Sequence, residues 1–150
     1  TPLQVVRMTA AVANGGLLLR PKVVREVRDA DGAVIVPPKV EVVRRVSVSV
    51  ENLAIMREAM RQAVADGTAA QAQVPGVQVA GKTGSAETAR GRPHAWFAGY
   101  APASQPRIVV VVLVEHGYRG GVSAAPIARA ILERWWTGLR SARGGNLWAR

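Results

Sequence analysis

Apolar and polar positions follow two rhythms along this chain, and the switches between them divide it into elements. Val5, Met8 and Val12 recur at helical spacing, with Leu3, Val6 and Ala10 beside them. Thr1 can cap that helix, Pro2 suits its first turn, and Asn14-Gly15-Gly16 ends it. Leu17 to Val27 reads as extended, and Pro21 within it predicts an edge strand. Asp29-Ala30-Asp31-Gly32 is a turn, and Val34-Ile35-Val36 returns as a second strand that ends at Pro37-Pro38. The helical rhythm resumes after Ser49, a capping hydroxyl with Glu51 near the positive end of the helix. Leu53, Met56, Met60 and Val64 form its apolar stripe, and Asp66-Gly67 closes it.

Residues 68–73 are small and polar and read as a loop. Three strands follow, about Val77 to Thr88, His94 to Ala101 and Arg107 to Glu115. Their short connections predict an antiparallel meander. Ile108 to Val114 is apolar at every position, which predicts burial on both faces. The last strand of a meander is nevertheless an edge, so strands from sequence outside these residues are expected to pair beyond it. Ser123 can cap a last helix, with Ile127, Ile131, Trp135 and Leu139 along one face and Trp135 in the core. Trp136 is left free for another surface, and Trp148 lies in a basic tail, residues 140–150, expected to be flexible.

Composition narrows the picture further. A chain of 150 residues, 49% hydrophobic, can build one core of useful size. The absence of cysteine excludes a disulfide scaffold and a zinc–thiolate site. No run is long and apolar enough for a membrane helix. The first residue is Thr rather than Met, so the chain is expected to be a piece of something longer. The net charge is +10, and only Lys22, Lys39 and Lys82 of the twenty basic residues are lysines. Basic charge without a nucleic-acid-binding motif reads as a surface bias toward Arg, and no nucleic-acid partner is expected.

The span Val79 to Glu87, VAGKTGSAE, carries the candidate chemistry. Glycine inside a strand weakens it and often marks the close approach of a ligand or another backbone. Between and beside Gly81 and Gly84 stand Lys82, Thr83 and Ser85, a row of donors along a strand. Trp96 and Phe97 point to opposite faces of the next strand, so one belongs to the core and the other lies toward the sheet surface. His94 and His116 have no carboxylate or metal-ligand spacing around them, so they read as surface or structural residues.

Lys82-Thr83-Gly84-Ser85, followed by the strand His94-Ala95-Trp96-Phe97-Ala98-Gly99-Tyr100-Ala101-Pro102, resembles the transpeptidase domain of penicillin-binding proteins. The neighbours agree in order. They are Thr1-Pro2-Leu3-Gln4 opening a helix that ends in Ala13-Asn14-Gly15-Gly16, the Arg20-Pro21 hairpin, Val114-Glu115, Gly120-Gly121, and Ala124-Ala125-Pro126-Ile127-Ala128. The resemblance runs from Thr1 to about Leu139, so that residues 1–139 are similar to the C-terminal portion of that domain. The His-Ala-Trp-Phe strand resembles the class B, elongation-type penicillin-binding protein 2 group most.

The resemblance implies an α+β fold of the β-lactamase/transpeptidase kind, an antiparallel sheet flanked by helices. It implies a D,D-transpeptidase that crosslinks peptidoglycan through a serine acyl-enzyme and is a target of β-lactams. Lys82 would supply positive potential and join the proton relay. Thr83 and Ser85 hydroxyls would hold the substrate carboxylate, Gly81 and Gly84 would leave room for it, and the Ser85 backbone N–H would form half of the oxyanion hole. Trp96 is a further candidate for the groove lining. Ser85 stands where threonine is commoner in the family, which keeps the hydroxyl and loses a methyl. No cofactor or metal is implied.

The implied partners are a peptidoglycan stem peptide, β-lactams, the N-terminal half of the domain and a membrane-embedded cell-wall glycosyltransferase of the elongation machinery. The implied location is the extracytoplasmic face of the cytoplasmic membrane, with the anchor outside this chain. The family also needs Ser-x-x-Lys and Ser-x-Asn. None of Ser47, Ser49, Ser85, Ser104, Ser123 and Ser141 has Lys three residues on or Asn two residues on. This chain alone is therefore expected to be unable to acylate. The rival expectations are a serine β-lactamase-like hydrolase or β-lactam sensor, and a non-enzymatic basic binding module.

Overall fold

The computed structural model describes residues 1–144, with side chains described as far as Ser141. Helix α1 (Pro2–Ala13) starts at a complete capping box: the Thr1 side chain accepts from the Gln4 N–H, and the Gln4 side chain reaches back to the Thr1 amine. Asn14 then ties the helix end to the next strand. Its side chain accepts from Leu17 N at 2.8 Å and donates to Leu17 O at 2.9 Å, while Gly15 and Gly16 take positive φ.

Strand β1 is Leu17–Leu19, shorter than the extended run expected, because Pro21 has no backbone N–H to continue a ladder. It pairs antiparallel with β4 (Val42–Arg45), a strand that the apolar pattern does not reveal. Between them β2 (Val27–Arg28) and β3 (Val34–Val36) form the expected hairpin, with Asp29 accepting from Asp31 N and Ala33 N at the turn. Helix α2 (Val50–Ala65) is capped by Ser49, as expected. Leu53, Met60 and Val64 are buried, but Met56 faces outward.

Residues 68–73 correct the loop expectation. They make a 3-10 turn at Ala70–Ala72, and Ala69 and Ala72 are fully buried, because small side chains let this turn sit against the core. Three strands follow in the expected meander: β5 (Ala80–Ala86), β6 (His94–Ala101) and β7 (Ile108–Val114), ordered β5-β6-β7 and antiparallel throughout. The register sets Gly81 opposite Gly99, Thr83 opposite Phe97 and Gly84 opposite Trp96.

A π-helical turn (Gly120–Ala124) leads into helix α3 (Ala125–Gly144). Ser123 lies inside this turn rather than capping the helix, and its hydroxyl donates to Gly117 O at 2.5 Å. The buried face of α3 is Ala125, Ala128 and Leu132, continued by Ala124 at the end of the turn, with Trp135 and Trp136 half-buried behind them. Ile127 and Ile131 are exposed, so the expected face is displaced. Small alanines let the helix approach the sheet more closely than isoleucines would. The helix runs past Leu139 to Gly144, so residues 140–144 are helical; Trp148 lies outside the described residues.

The sheet is covered on both sides. Ala95, Phe97, Ala101, Val110 and Val112 pack with α3 and the 3-10 turn. Ala80, Tyr100 and Val109 meet Val12 and Ala13 of α1 and Met60 of α2 on the other side. Strand β7 therefore has cover on both faces although its outer edge carries no strand among the described residues. Among those residues no helix is long and apolar enough to cross a membrane.

Candidate active site

The candidate residues lie on β5, whose outer edge carries no strand among the described residues. Burial along it is graded: Ala80 and Gly81 are buried, Thr83 is intermediate, and Lys82, Gly84, Ser85 and Ala86 are exposed. Alternation sets Lys82 and Gly84 on one face, with Thr83 and Ser85 on the other.

The two glycines play different parts. A Cβ on Gly81 would sit 2.5 Å from Phe97 Cζ, so this glycine is required by a buried ring inside the chain. A Cβ on Gly84 would meet only Trp96 Cβ, at an ordinary 3.6 Å. Nothing within the described residues demands a glycine at 84: the residue is exposed, and the space beside its Cα on the Lys82 face is open, although its backbone N and O pack under Gly120. Packing inside the chain thus accounts for Gly81 and leaves Gly84 without an intrachain steric reason.

Trp96 and Phe97 divide as expected. Phe97 is fully buried, and Trp96 is half-buried beside Gly84, on the face that carries Lys82. His94 and His116 take structural positions. The His116 N–H donates to His94 Nδ1 at 2.9 Å, and His116 Nδ1 lies 3.0 Å from Arg92 O. They tie the β5–β6 turn to the loop after β7. Among the described residues no group of His, Asp and Glu side chains could hold a metal ion.

One residue of the site escapes sequence reasoning. Lys82 Nζ donates to Thr68 Oγ1 at 3.2 Å and to Thr83 O at 2.9 Å. Thr83 Oγ1 lies 3.0 Å from the same Thr68 Oγ1. Two side chains from opposite faces of a strand reach one hydroxyl only if it lies alongside the strand edge. Thr68 therefore closes that edge at Lys82 and Thr83, and the open edge is Gly84 to Ala86. The faint signal was a lone hydroxyl directly after the Asp66-Gly67 helix stop, in a segment otherwise made of Ala and Gln.

The π-helical turn presses on this arrangement from the side. A Cβ on Gly120 would collide with the backbone of Gly84 and with Trp96 O, and one on Gly121 would come within 2.7 Å of Thr68 O. These close approaches explain the Gly120-Gly121 pair physically. Behind the sheet, burial raises the Tyr100 hydroxyl above its ordinary pKa, and the neighbouring Arg57 guanidinium opposes that shift. The pair does not reach hydrogen-bond geometry, and Tyr100 Oη has no partner among the described residues.

Comparisons with known proteins agree with this architecture. The family model of the penicillin binding protein transpeptidase domain matches residues 1–133. The peptidoglycan D,D-transpeptidase PbpA of Mycobacterium tuberculosis is 40% identical over 144 residues, covering 89% of this chain and 28% of that protein. The peptidoglycan D,D-transpeptidase MrdA of Acinetobacter baumannii is 33% identical over 151 residues, covering 90% of this chain and 22% of that protein. Among solved structures, the ceftriaxone acyl-enzyme complex of penicillin-binding protein A from M. tuberculosis superposes with a TM-score of 0.81 at 39% identity, covering 89% of this chain and 32% of that one. The D,D-transpeptidase domain of an Eggerthella lenta peptidoglycan glycosyltransferase gives 0.80 at 31% identity, covering 92% and 32%. The chain thus spans less than a third of the length of these curated relatives, with the α+β fold that the motif strand implied. It belongs to the penicillin-binding protein transpeptidase domain family.

Proposed function

We propose that residues 1–139 form the C-terminal, substrate-holding portion of a peptidoglycan D,D-transpeptidase domain. The observation that carries this reading is the open edge of β5 at Gly84–Ala86, directly after Lys82 and Thr83. An extended peptide can add to such an edge as a further strand, its main chain giving affinity and flanking groups giving specificity. A stem peptide ending in D-alanyl-D-alanine lies there antiparallel to β5. Lys82 attracts its terminal carboxylate and joins the proton relay. Thr83 and Ser85 hydroxyls hydrogen-bond the carboxylate, and the Ser85 N–H is half of the oxyanion hole. Trp96 lines the groove on the Lys82 face.

The nucleophile comes from residues outside these 150, since no Ser-x-x-Lys or Ser-x-Asn occurs among them. Its Oγ attacks the penultimate D-alanine carbonyl and the terminal D-alanine leaves. The amine of a second stem peptide then attacks the ester, forming the crosslink and freeing the serine. A β-lactam enters by the same edge and acylates the same serine, and this scheme invokes no cofactor. The strands of that N-terminal portion pair with the outer edge of β7.

The relatives' names support an envelope protein working at the extracytoplasmic side of the cytoplasmic membrane, its anchor outside this chain. A membrane-embedded glycosyltransferase of the elongation machinery is its proposed partner. A fluorescent penicillin tests the reading: the whole protein that carries this chain takes the label covalently, and the 150-residue chain alone does not. A covalent adduct on the chain alone would overturn the placement of the nucleophile. An adduct on the whole protein that hydrolyses within seconds would move it to the β-lactamases.

A further inference from the structure

Lys82 is an exposed side chain with four rotatable carbons, and among the described residues it forms no ion pair. An ammonium of this kind is ordered only by the acceptors around it. Its acceptors here are Thr83 O, on its own strand, and Thr68 Oγ1, from fourteen positions upstream. The Thr83 hydroxyl leans on the same oxygen, and its second neighbour is Thr68 O at 3.4 Å. A threonine hydroxyl has two acceptor lone pairs. At Thr68 one lone pair takes the ammonium, and the hydroxyl proton can be given to Thr83 Oγ1, which leaves the Thr83 proton for a carboxylate, so a single oxygen sets the positions of both groups.

The geometry points to Thr68 as a positioning residue of the carboxylate-holding subsite, acting through Lys82 and Thr83; this role rests on the transpeptidase reading above. Thr68 is itself held from two sides. Ala69 N donates to Ala63 O at 2.9 Å and Ala70 N to Gly67 O at 3.1 Å, which anchors the segment to the end of α2. On the other side the π-helical turn leaves room only for glycine at 121, where a Cβ would press on Thr68 O. The end of α2, the edge of β5 and the turn before α3 converge on one hydroxyl.

The test uses the whole protein that carries this chain, with Thr68→Val, which keeps a branched side chain and loses the oxygen, and Thr68→Ser, which keeps the oxygen and loses a methyl. Two readouts are taken: the acylation rate against fluorescent-penicillin concentration, which separates binding from the limiting rate, and the Thr83 χ1 rotamer from three-bond couplings in a threonine-methyl-labelled sample. Thr68→Val is expected to lower the second-order acylation rate about tenfold, the size of losing one hydrogen bond to a charged group, and to average the Thr83 rotamer. Thr68→Ser is expected to stay within about threefold of the parent and to hold one rotamer.

Gly121→Ala, which displaces Thr68 without removing its hydroxyl, is expected to reproduce the Thr68→Val loss. Parent-like rates and a single Thr83 rotamer in Thr68→Val overturn the inference, as does equal damage by Thr68→Ser. If the parent protein takes no label, the transpeptidase reading falls by itself, and the Thr83 couplings still decide whether Thr68 positions its neighbours.

Discussion

Strands β3 and β7 are both built from branched aliphatic residues, yet they meet opposite fates. Val34, Ile35 and Val36 of β3 are exposed, Ile35 at 62%, on a hairpin whose ladder joins it to β2 alone among the described residues. In β7, by contrast, Val110 and Val112 are buried and the other five positions are partly buried, between α1 and α3. Local β-preference is the same, and the difference lies in what covers the strand. Strand β5 repeats the contrast within seven residues, its covered end at Ala80-Gly81 and its open end at Gly84–Ala86. Covered backbone carries stability, and open backbone is available for binding.

The hardest test of that comparison removes a ring from the covered side. Phe97→Ala is expected to cost about 3–5 kcal/mol in chemical denaturation of the whole protein, because Phe97 is fully buried. Ile35→Ala on the hairpin should stay within about 0.5 kcal/mol. Equal losses at the two sites would break the comparison.

A smaller effect separates the ends of β5. Gly81→Ala forces a methyl against the Phe97 ring and should cost about 1–3 kcal/mol. Gly84→Ala should change stability by less than about 0.5 kcal/mol while slowing acylation by a penicillin, since its cost falls on the incoming molecule. A Gly84→Ala protein that melts early and acylates normally would reverse the assignment of the two glycines.

Two titrations give the smallest effects. Tyr100 is buried without a hydrogen-bond partner among the described residues, so Tyr100→Phe should be neutral or stabilising by up to about 1 kcal/mol. Its hydroxyl pKa is raised above the ordinary 10.0, so the folded protein holds that proton more tightly. The resulting stability is present below that value and is lost as pH rises through it; Tyr100→Phe should flatten this alkaline loss in a pH series of melting curves. Glu58 has the opposite sign. Hydrogen bonds from Arg61 and then Gln62 lower its pKa from 4.5 to about 2. Its contribution is present above 4.5 and fades as pH falls toward 2. The pair is solvent-exposed, so Glu58→Gln should barely alter the acid limb, and a large change there would mean that the exposed face of α2 is covered in the whole protein.

Features made by neighbours in sequence could be read from sequence. The Thr1 cap, the Asn14-Gly15-Gly16 stop, the Asp29–Gly32 turn and the β5-β6-β7 meander all form within a few residues or across a short turn. Features made by distant partners could not. The pairing of β1 with β4 depends on chain closure around a hairpin, and the Val42–Arg45 pattern does not announce it. On α3 hydrophobicity favours Ile127 and Ile131, whereas close packing on the sheet selects Ala125 and Ala128, with Ala124 just before the helix. In the site, the Lys-Thr-Gly strand was visible and Thr68 was not, because a hydroxyl gains its meaning from what lies 3 Å away.

The order of residues alone therefore settled the three helices, the β2–β3 turn, the β5-β6-β7 meander and which strand carries the donors, since caps, turns and alternation act over short chain distances. Tertiary structure decided which faces are covered, which of two similar glycines stands open, and that Thr68 meets both Lys82 and Thr83. Those outcomes depend on packing between segments that are remote in the chain, where steric fit and hydrogen-bond distance select among arrangements that sequence pattern alone leaves equal.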